Sequence, residues 1–264
     1  MDMGLNNKTA LVTGSTKGIG KAIAIELAKS GVNVLINGRN HEAVEHIVNE
    51  IKTSFPNTFP QNAAADIVDI GQREALFEKY PEIDILVNSM GIYEIMKYED
   101  VSDEVWETYF RTNVLAANGL SKFYLPKMLK NDYGRIIFIA SEEAVMPSGQ
   151  MPQYCMTKSM LLSLSKSLSK LTAGKEVTVN TILPGPTLSE NVHQIIDRIY
   201  SDEAMTFADK EKQFMKTNLP QSELQRFIRP IEIGRLATFV CSPYASAFKG
   251  SPIRMDGGMV PTIF

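Results

Sequence analysis

Cysteine, histidine and tryptophan are scarce here: the 264 residues include two, three and one of them respectively. Cys155 and Cys241 are too few for a disulfide framework and lack metal-ligand spacing. His41, His46 and His193 form no catalytic or metal-binding pattern, so surface positions are expected and no metal site is assigned. No apolar run approaches the ~20 residues that a membrane-spanning helix needs. Nor is there an excess of one charge: 27 Lys and Arg face 30 Asp and Glu, for a formal net charge of −3. The basic residues are scattered, which argues against a nucleic-acid footprint or a polybasic membrane patch. Neither a nucleic acid nor a membrane is expected as a partner. In the opening segment MDMGLNNKTALVTG the apolar run ALV is too short for a signal peptide, so a cytoplasmic location is expected.

What is present is apolar material for a core, with 44% hydrophobic and 22% charged residues. No Ser/Gly-rich, Pro-rich or repeated stretch divides the chain, and a single domain over residues 1–264 is expected. Short β-rich runs recur at TALVT (9–13), VNVLI (32–36), IDILV (83–87), RIIFIA (135–140) and VTVNTIL (177–183), with a weaker one at 61–65. Between them, residues 18–30, 41–53, 103–130 and 154–172 carry helical periodicity. Near-continuous apolar strands separated by helices predict an α/β fold: a doubly wound, mostly parallel Rossmann-type sheet of about seven strands with helices on both faces. The rhythm breaks at 189–222, a helical segment with exposed-looking Met205, Phe207, Phe214 and Met215. It is read as a substrate lid.

The first strand runs into Thr13-Gly14-Ser15-Thr16-Lys17-Gly18-Ile19-Gly20 and then a helix. Glycines permit a tight turn and close approach of a pyrophosphate, and the helix N-terminus supplies free N–H groups. The spacing G-x-x-x-G-x-G differs from the general G-x-G-x-x-G fingerprint. An NAD site places a carboxylate at the end of the second strand, to bind the ribose 2′-hydroxyl. Here that strand ends Ile36-Asn37-Gly38-Arg39-Asn40, without an acid and with an arginine. A guanidinium suits a 2′-phosphate, and Lys17 adds a second positive charge, so NADP(H) is favoured over NAD(H). The bland alternative is a solvated Arg39 at a helix start. Asp66, followed by Ile67, has two readings of equal weight: an acceptor for an adenine amino group, or a turn and cap residue. Asn88 to Gly91 (N-S-M-G) closes another strand with small residues.

Tyr154 and Lys158 are four apart in a helical stretch and share a face. An ammonium beside a phenol favours the phenolate, bringing proton exchange with an alcohol within reach. Ser141 follows the strand RIIFIA directly, where its hydroxyl can hold a substrate oxygen. Gly14, Asn88, Ser141 and Pro184-Gly185 all fall at carboxyl ends of predicted strands, the edge at which open α/β sheets bind ligands.

With TGSTKGIG, Asn113, Ser141, Y-C-M-T-K and P-G in this order, the chain resembles the short-chain dehydrogenase/reductase superfamily from Lys8 to about Gly258. The resemblance implies hydride transfer between NADP(H) and a carbonyl or alcohol substrate. It makes Tyr154 the general acid/base, and Lys158 the group that lowers its pKa and binds the nicotinamide ribose. Ser141 would polarise the carbonyl, and Asn113 would hold a proton-relay water. Pro184-Gly185, with Thr187 or Ser189, would contact the nicotinamide, and R-M-D-G-G at 254–258 would form the last strand and turn. Met90 replaces the family's smaller residue in N-N-A-G. Glu142 and Glu143 stand where small or neutral residues are usual, and Glu142 is expected to face solvent. If it faced the pocket, it would select a polar or cationic substrate or raise local pKa values.

Cys155 is read as buried and unreactive, and Trp106, Tyr109 and Phe110 as packing. Residues 154–171 are apolar on more than one face, and with 103–130 they imply burial against another copy, as a homotetramer or dimer. The tail 259–264 is read the same way. A nucleotide-binding regulator of this fold without turnover is the alternative function, opposed by the intact set of Asn113, Ser141, Tyr154 and Lys158. A methyltransferase on a similar sheet would have no use for Tyr154, Lys158 or Arg39.

Overall fold

The computed structural model describes residues 2–201 and 204–263. Seven strands form one parallel sheet: β1 (Thr9–Val12), β2 (Asn33–Ile36), β3 (Gln61–Asn62), β4 (Ile85–Asn88), β5 (Gly134–Ile139), β6 (Val177–Pro184) and β7 (Pro252–Met255). Their spatial order is β3-β2-β1-β4-β5-β6-β7. Alternation along each strand sorts side chains to two layers. Ala10, Val12, Val34, Ile36 and Ile182 pack with α1 (Gly18–Lys29), α2 (His41–Ser54) and α9 (Pro230–Cys241). Leu11, Leu35, Ile136, Phe138 and Val179 face α3 (Ile70–Lys79), α5 (Ala116–Asn131) and α6 (Pro152–Lys170). A sheet covered on both faces needs apolar residues at every position, which is why these strands read as continuous apolar runs. The chain runs outward from β1 to β3, then returns to β4 on the other side of β1. That reversal opens a crevice at the carboxyl ends of β1 and β4.

Three elements differ from the sequence pattern. The 103–130 stretch is not one helix: α4 (Asp103–Tyr109) passes through a π-helical turn (Phe110–Leu115) into α5. β3 is two residues long, and the rest of the 61–65 run is extended chain whose Ala63 and Ala65 amides bond back to β2 and Gly38. The helix α9, outside the helical stretches read from the sequence, buries a short stripe of Ile233, Ala237, Val240 and Cys241. Pro230 occupies its first turn, and the Glu232 carboxylate accepts from the Arg229 amide at 2.7 Å, closing that end. Gly234 lets it pack hard on α1, since a Cβ there would stand 2.7 Å from the Ala22 carbonyl.

The 189–222 segment is helical, as its composition predicts, with α7 (Glu190–Ile199) and α8 (Phe207–Asn218); Asp202 and Glu203 of this segment lie outside the described residues. Its aromatics and methionines are less exposed than expected. Met215 is fully buried with Ile196, Tyr200 and Phe227, and Phe207 and Phe214 pack against them. The buried Glu211 carboxylate fastens this small core by accepting from the Phe227 amide at 2.9 Å and both Arg229 guanidinium nitrogens at 2.6 and 2.7 Å. Of the tail, Met259 and Val260 are buried within the chain, whereas Ile263 is exposed; Phe264 lies outside the described residues. Met156 and Met160 on α6 are exposed, as are Leu115 and Leu171. Among the described residues, no helix is long and apolar enough to cross a membrane.

Candidate active site

The turn after β1 is built for close backbone approach. Gly14 and Gly18 have φ of +63° and +56°, and a Cβ on Gly20 would lie 2.4 Å from the Gly14 carbonyl oxygen. Ser15 is wholly buried and holds the turn to the sheet: its hydroxyl donates to the Val12 carbonyl at 2.7 Å and accepts the Asn37 amide at 2.9 Å. Thr16 lies against Gly38, where a Cβ would meet its methyl at 2.8 Å, and Ile19 packs on the core. The Gly18 amide at the start of α1 donates to the Glu190 carboxylate at 3.0 Å, so an acidic group already rests on this helix N-terminus. Donors that accept a carboxylate suit a pyrophosphate equally well.

Lys17 and Arg39 are exposed beside this turn, and neither forms an ion pair among the described residues. Asp66 is engaged as a turn former: its carboxylate accepts the Val68 amide at 3.0 Å, which favours that reading over an adenine acceptor. The Ile67 side chain is buried in the core and its carbonyl accepts from Arg73, leaving only its amide for a ligand. Asn88 is buried at the end of β4, with its carbonyl oxygen unpartnered. The following amides, of Ser89 and Met90, both donate to Thr13 Oγ1 at 3.0 Å. Met90 is accommodated by packing on the second core layer.

On the other side of the crevice, the last turn of β5 and the first turns of α6 bring the polar groups together. Lys158 is buried, and its ammonium donates to the Ile139 carbonyl at 2.8 Å. Burial lowers its pKa to about 8, so it stays largely charged at neutral pH. The nitrogen stands 5.4 Å from the centre of the half-buried Tyr154 ring. Gly91 leaves room for this group, since a Cβ there would come within 3.3 Å of both Lys158 Nζ and Asn113 Oδ1. Asn113 sits in the π-helical turn, accepting from the Ile92 amide at 2.9 Å and donating to Thr157 Oγ1 at 3.0 Å. Such turns often mark functional positions, because they push one residue out of helical register.

Ser141 lies within hydrogen-bonding reach of the Tyr154 phenol. The phenol is not lowered as the four-residue spacing suggests. Burial raises its pKa, the neighbouring Ser141 hydroxyl only partly offsets this, and the charges of Glu142 and Glu143 add to the rise. The phenol is therefore protonated at neutral pH, a proton donor in waiting. Glu142 does not face solvent: it is 8% exposed, and Ser141 donates to its Oε2 at 2.6 Å. The turn Glu142–Ala144 folds the side chain back over the serine, and burial lifts its pKa to about 7. Nothing in the local pattern signals this, because consecutive glutamates after a strand ordinarily mark a solvated turn.

β6 ends at Pro184, and Gly185 is required by close approach of the Asp256 backbone, 2.5 Å from a Cβ placed there. Thr187 donates to the Gly185 carbonyl at 2.8 Å, and Ser189 caps α7 through the Val192 amide. Sequence reading missed Tyr93, whose exposed ring lies 6.0 Å from that of Tyr154, and Glu190 on the glycine turn. Both belong to loops whose local sequence carries no periodic signal. Cys155 is buried and donates to the Glu143 carboxylate at 3.0 Å. His41, His46 and His193 are exposed; His193 pairs with Asp197 and stacks on Phe207.

Residues 8–199 match the model of the short chain dehydrogenase family. The chain is 46% identical, over the whole of both chains, to the uncharacterized oxidoreductase YvaG of Bacillus subtilis strain 168. It is 33% identical to a D-beta-hydroxybutyrate dehydrogenase of Cupriavidus necator, covering 97% of this chain and 99% of that one. Among solved structures, L-sorbose reductase from Gluconobacter frateurii, complexed with NADPH and L-sorbose, superimposes over the whole of both chains with a TM-score of 0.92 and 30% identity.

Proposed function

The chain belongs to the short-chain dehydrogenase family of oxidoreductases, and on that premise we propose that it reduces a ketone at the expense of NADPH, with Tyr154 as the proton donor. The observation that carries this reading is the convergence of Ser141, Tyr154 and the buried Lys158 ammonium on one wall of the crevice, facing the glycine turn.

NADPH, when bound, supplies the hydride. The Gly18–Gly20 turn and the N-terminus of α1 would hold its pyrophosphate, at the Gly18 amide that the Glu190 carboxylate now occupies. Arg39 and Lys17 bind the 2′-phosphate, a role supported by their exposure and lack of acidic partners. Gly14, Asn88 and Gly91 line the adenosine side; Pro184, Gly185, Thr187 and Ser189 line the nicotinamide side. Ser141 and Tyr154 hold the substrate oxygen between two hydroxyls, and as charge grows on that oxygen the phenol releases its proton to it. Lys158, a nearby fixed cation, stabilises the phenolate left behind. Asn113 holds the loop after β4 through both Ile92 backbone groups. The α7 and α8 lid covers the substrate end.

The named relatives act on a keto sugar and a hydroxy acid, so small oxygenated ketones are the first substrate class to test. NADPH oxidation is followed at its nicotinamide absorbance with ketoses, 3-oxo acids and 3-oxoacyl thioesters, and repeated with NADH. Turnover with NADPH on at least one of them supports the reading. Tight NADPH binding with no turnover on any would overturn it in favour of a nucleotide-binding regulator.

A further inference from the structure

Ser141 has one proton to give and two lone pairs to offer. One lone pair is taken by the Glu143 amide at 3.2 Å. The proton goes to Glu142 Oε2 at 2.6 Å, so in this arrangement none remains for a substrate oxygen. A serine that polarises a carbonyl must donate, and a charged Glu142 takes that donor away. A neutral Glu142 reverses the bond. Its carboxylic acid then donates to Ser141 Oγ, both lone pairs of the serine are filled, and its proton is left facing Tyr154 and the substrate. We propose that Glu142 is a positioning residue whose carboxyl decides whether the Ser141 hydroxyl presents its proton or a lone pair to the substrate oxygen. The proposal rests on the reductase reading above and adds a control on it.

Three features support it. Glu142 is buried on the serine with no cation to hold it ionised: burial, the Ser141 hydroxyl, the amides of its own turn and the negative charge of Glu143 set its ionisation. Its pKa of about 7 places the reversal in the physiological range. The groups around it are accounted for. Glu143, on the same turn, is committed to the Ser148 amide and the Cys155 thiol. From α6 it meets Tyr154, which is neutral; the Lys158 ammonium of the same helix is tied to the Ile139 carbonyl. Tyr93 lies beyond Tyr154, and β6 brings no titratable side chain to this end. No other group there both titrates near neutrality and touches Ser141.

The experiment is the pH profile of kcat/KM for NADPH-dependent reduction from pH 5.5 to 9 in wild type, Glu142→Gln and Glu142→Ala, with NADPH affinity by fluorescence confirming that each variant is folded. Wild type should lose about tenfold in kcat/KM for each pH unit above about 7, the slope of a single ionisation to an inactive form. Glutamine keeps the neutral donor, so E142Q should hold its own pH 6 value to within about twofold up to pH 8, where loss of the Lys158 charge begins to act in every variant, a flatness that loss of packing alone would not produce. E142A should be flat as well, at a lower level, because the serine is then unheld. The same falling limb in the variants, or its absence from wild type, overturns the proposal and leaves the reductase reading standing. No turnover in wild type at any pH fails both.

Discussion

Replacing Glu142 by glutamine should stabilise the cofactor-free protein at alkaline pH and change little in acid. The carboxyl is buried, and its pKa rises from an ordinary 4.5 to about 7. A raised carboxyl pKa means that the fold binds a proton which the unfolded chain releases. The stability linked to it is therefore complete below pH 4.5 and is lost as pH climbs through 7. That gap corresponds to about 3 kcal/mol of charge burial, borne by the wild type at pH 8 and above. Glutamine occupies the same volume, can bond to Ser141, and never ionises. The difference in unfolding free energy between E142Q and wild type should thus grow from near zero at pH 4.5 to about 3 kcal/mol at pH 8.5. For a chain of this length that is about 6–10 °C in melting temperature. Urea unfolding followed by far-ultraviolet circular dichroism, at intervals of pH without cofactor, measures it. Parallel stability curves for the two proteins would refute the reasoning, because they would mean that Glu142 reaches water and ionises freely.

Other perturbations follow from single contacts. Gly20→Ala places a Cβ 2.4 Å from the Gly14 carbonyl, so the turn must shift; NADPH affinity by fluorescence titration should fall at least about tenfold, with the sheet intact. Arg39→Glu would remove the proposed charge-assisted contact to the 2′-phosphate, of about 1.5–3 kcal/mol, and add repulsion, so the ratio of NADPH to NADH affinity should drop by about 100-fold; an unchanged ratio would remove Arg39 from the proposed site. Glu211→Ala leaves Arg229 and the Phe227 amide without their acceptor, at a cost of about 2 kcal/mol after allowing for the partial exposure of Arg229. Hydrogen exchange should then speed up in α7 and α8 before any strand of the sheet responds.

Much of this molecule could be read from local pattern. Strands β1, β2, β5 and β6 announce themselves as β-branched runs because both sheet faces are covered, and the glycine turn does so because Gly14 and Gly18 need positive φ and Gly20 has no room for a Cβ. Tyr154 and Lys158 fall on one helix face by spacing alone. What local pattern does not carry is the identity of a distant partner. The π-helical turn at Asn113 leaves apolar periodicity nearly intact, so the 103–130 stretch reads as one helix. Met215 in the 189–222 segment looks exposed until Phe227, twelve residues on, is packed against it. Helix α9 is missed because its buried stripe is short and built partly on small residues, with Gly234 pressed on α1, although its Arg-Pro-Ile-Glu start was a usable signal. The burial of Glu142 comes from a three-residue turn that folds the acid back onto the serine, and the Tyr154 pKa rises chiefly because the phenol is itself buried, with the Glu142 charge adding to it.

The account stands or falls on Tyr154. The decisive measurement is single-turnover oxidation of enzyme-bound NADPH by a ketone that the wild type accepts, compared with Tyr154→Phe. Phenylalanine keeps the ring and its packing but has no proton to give. NADPH binding should survive within a fewfold while the rate falls by at least about a hundredfold, the range that a positioned acid contributes. A variant that turns over at the wild-type rate would contradict the assignment of the proton donor, and the mechanism built on it.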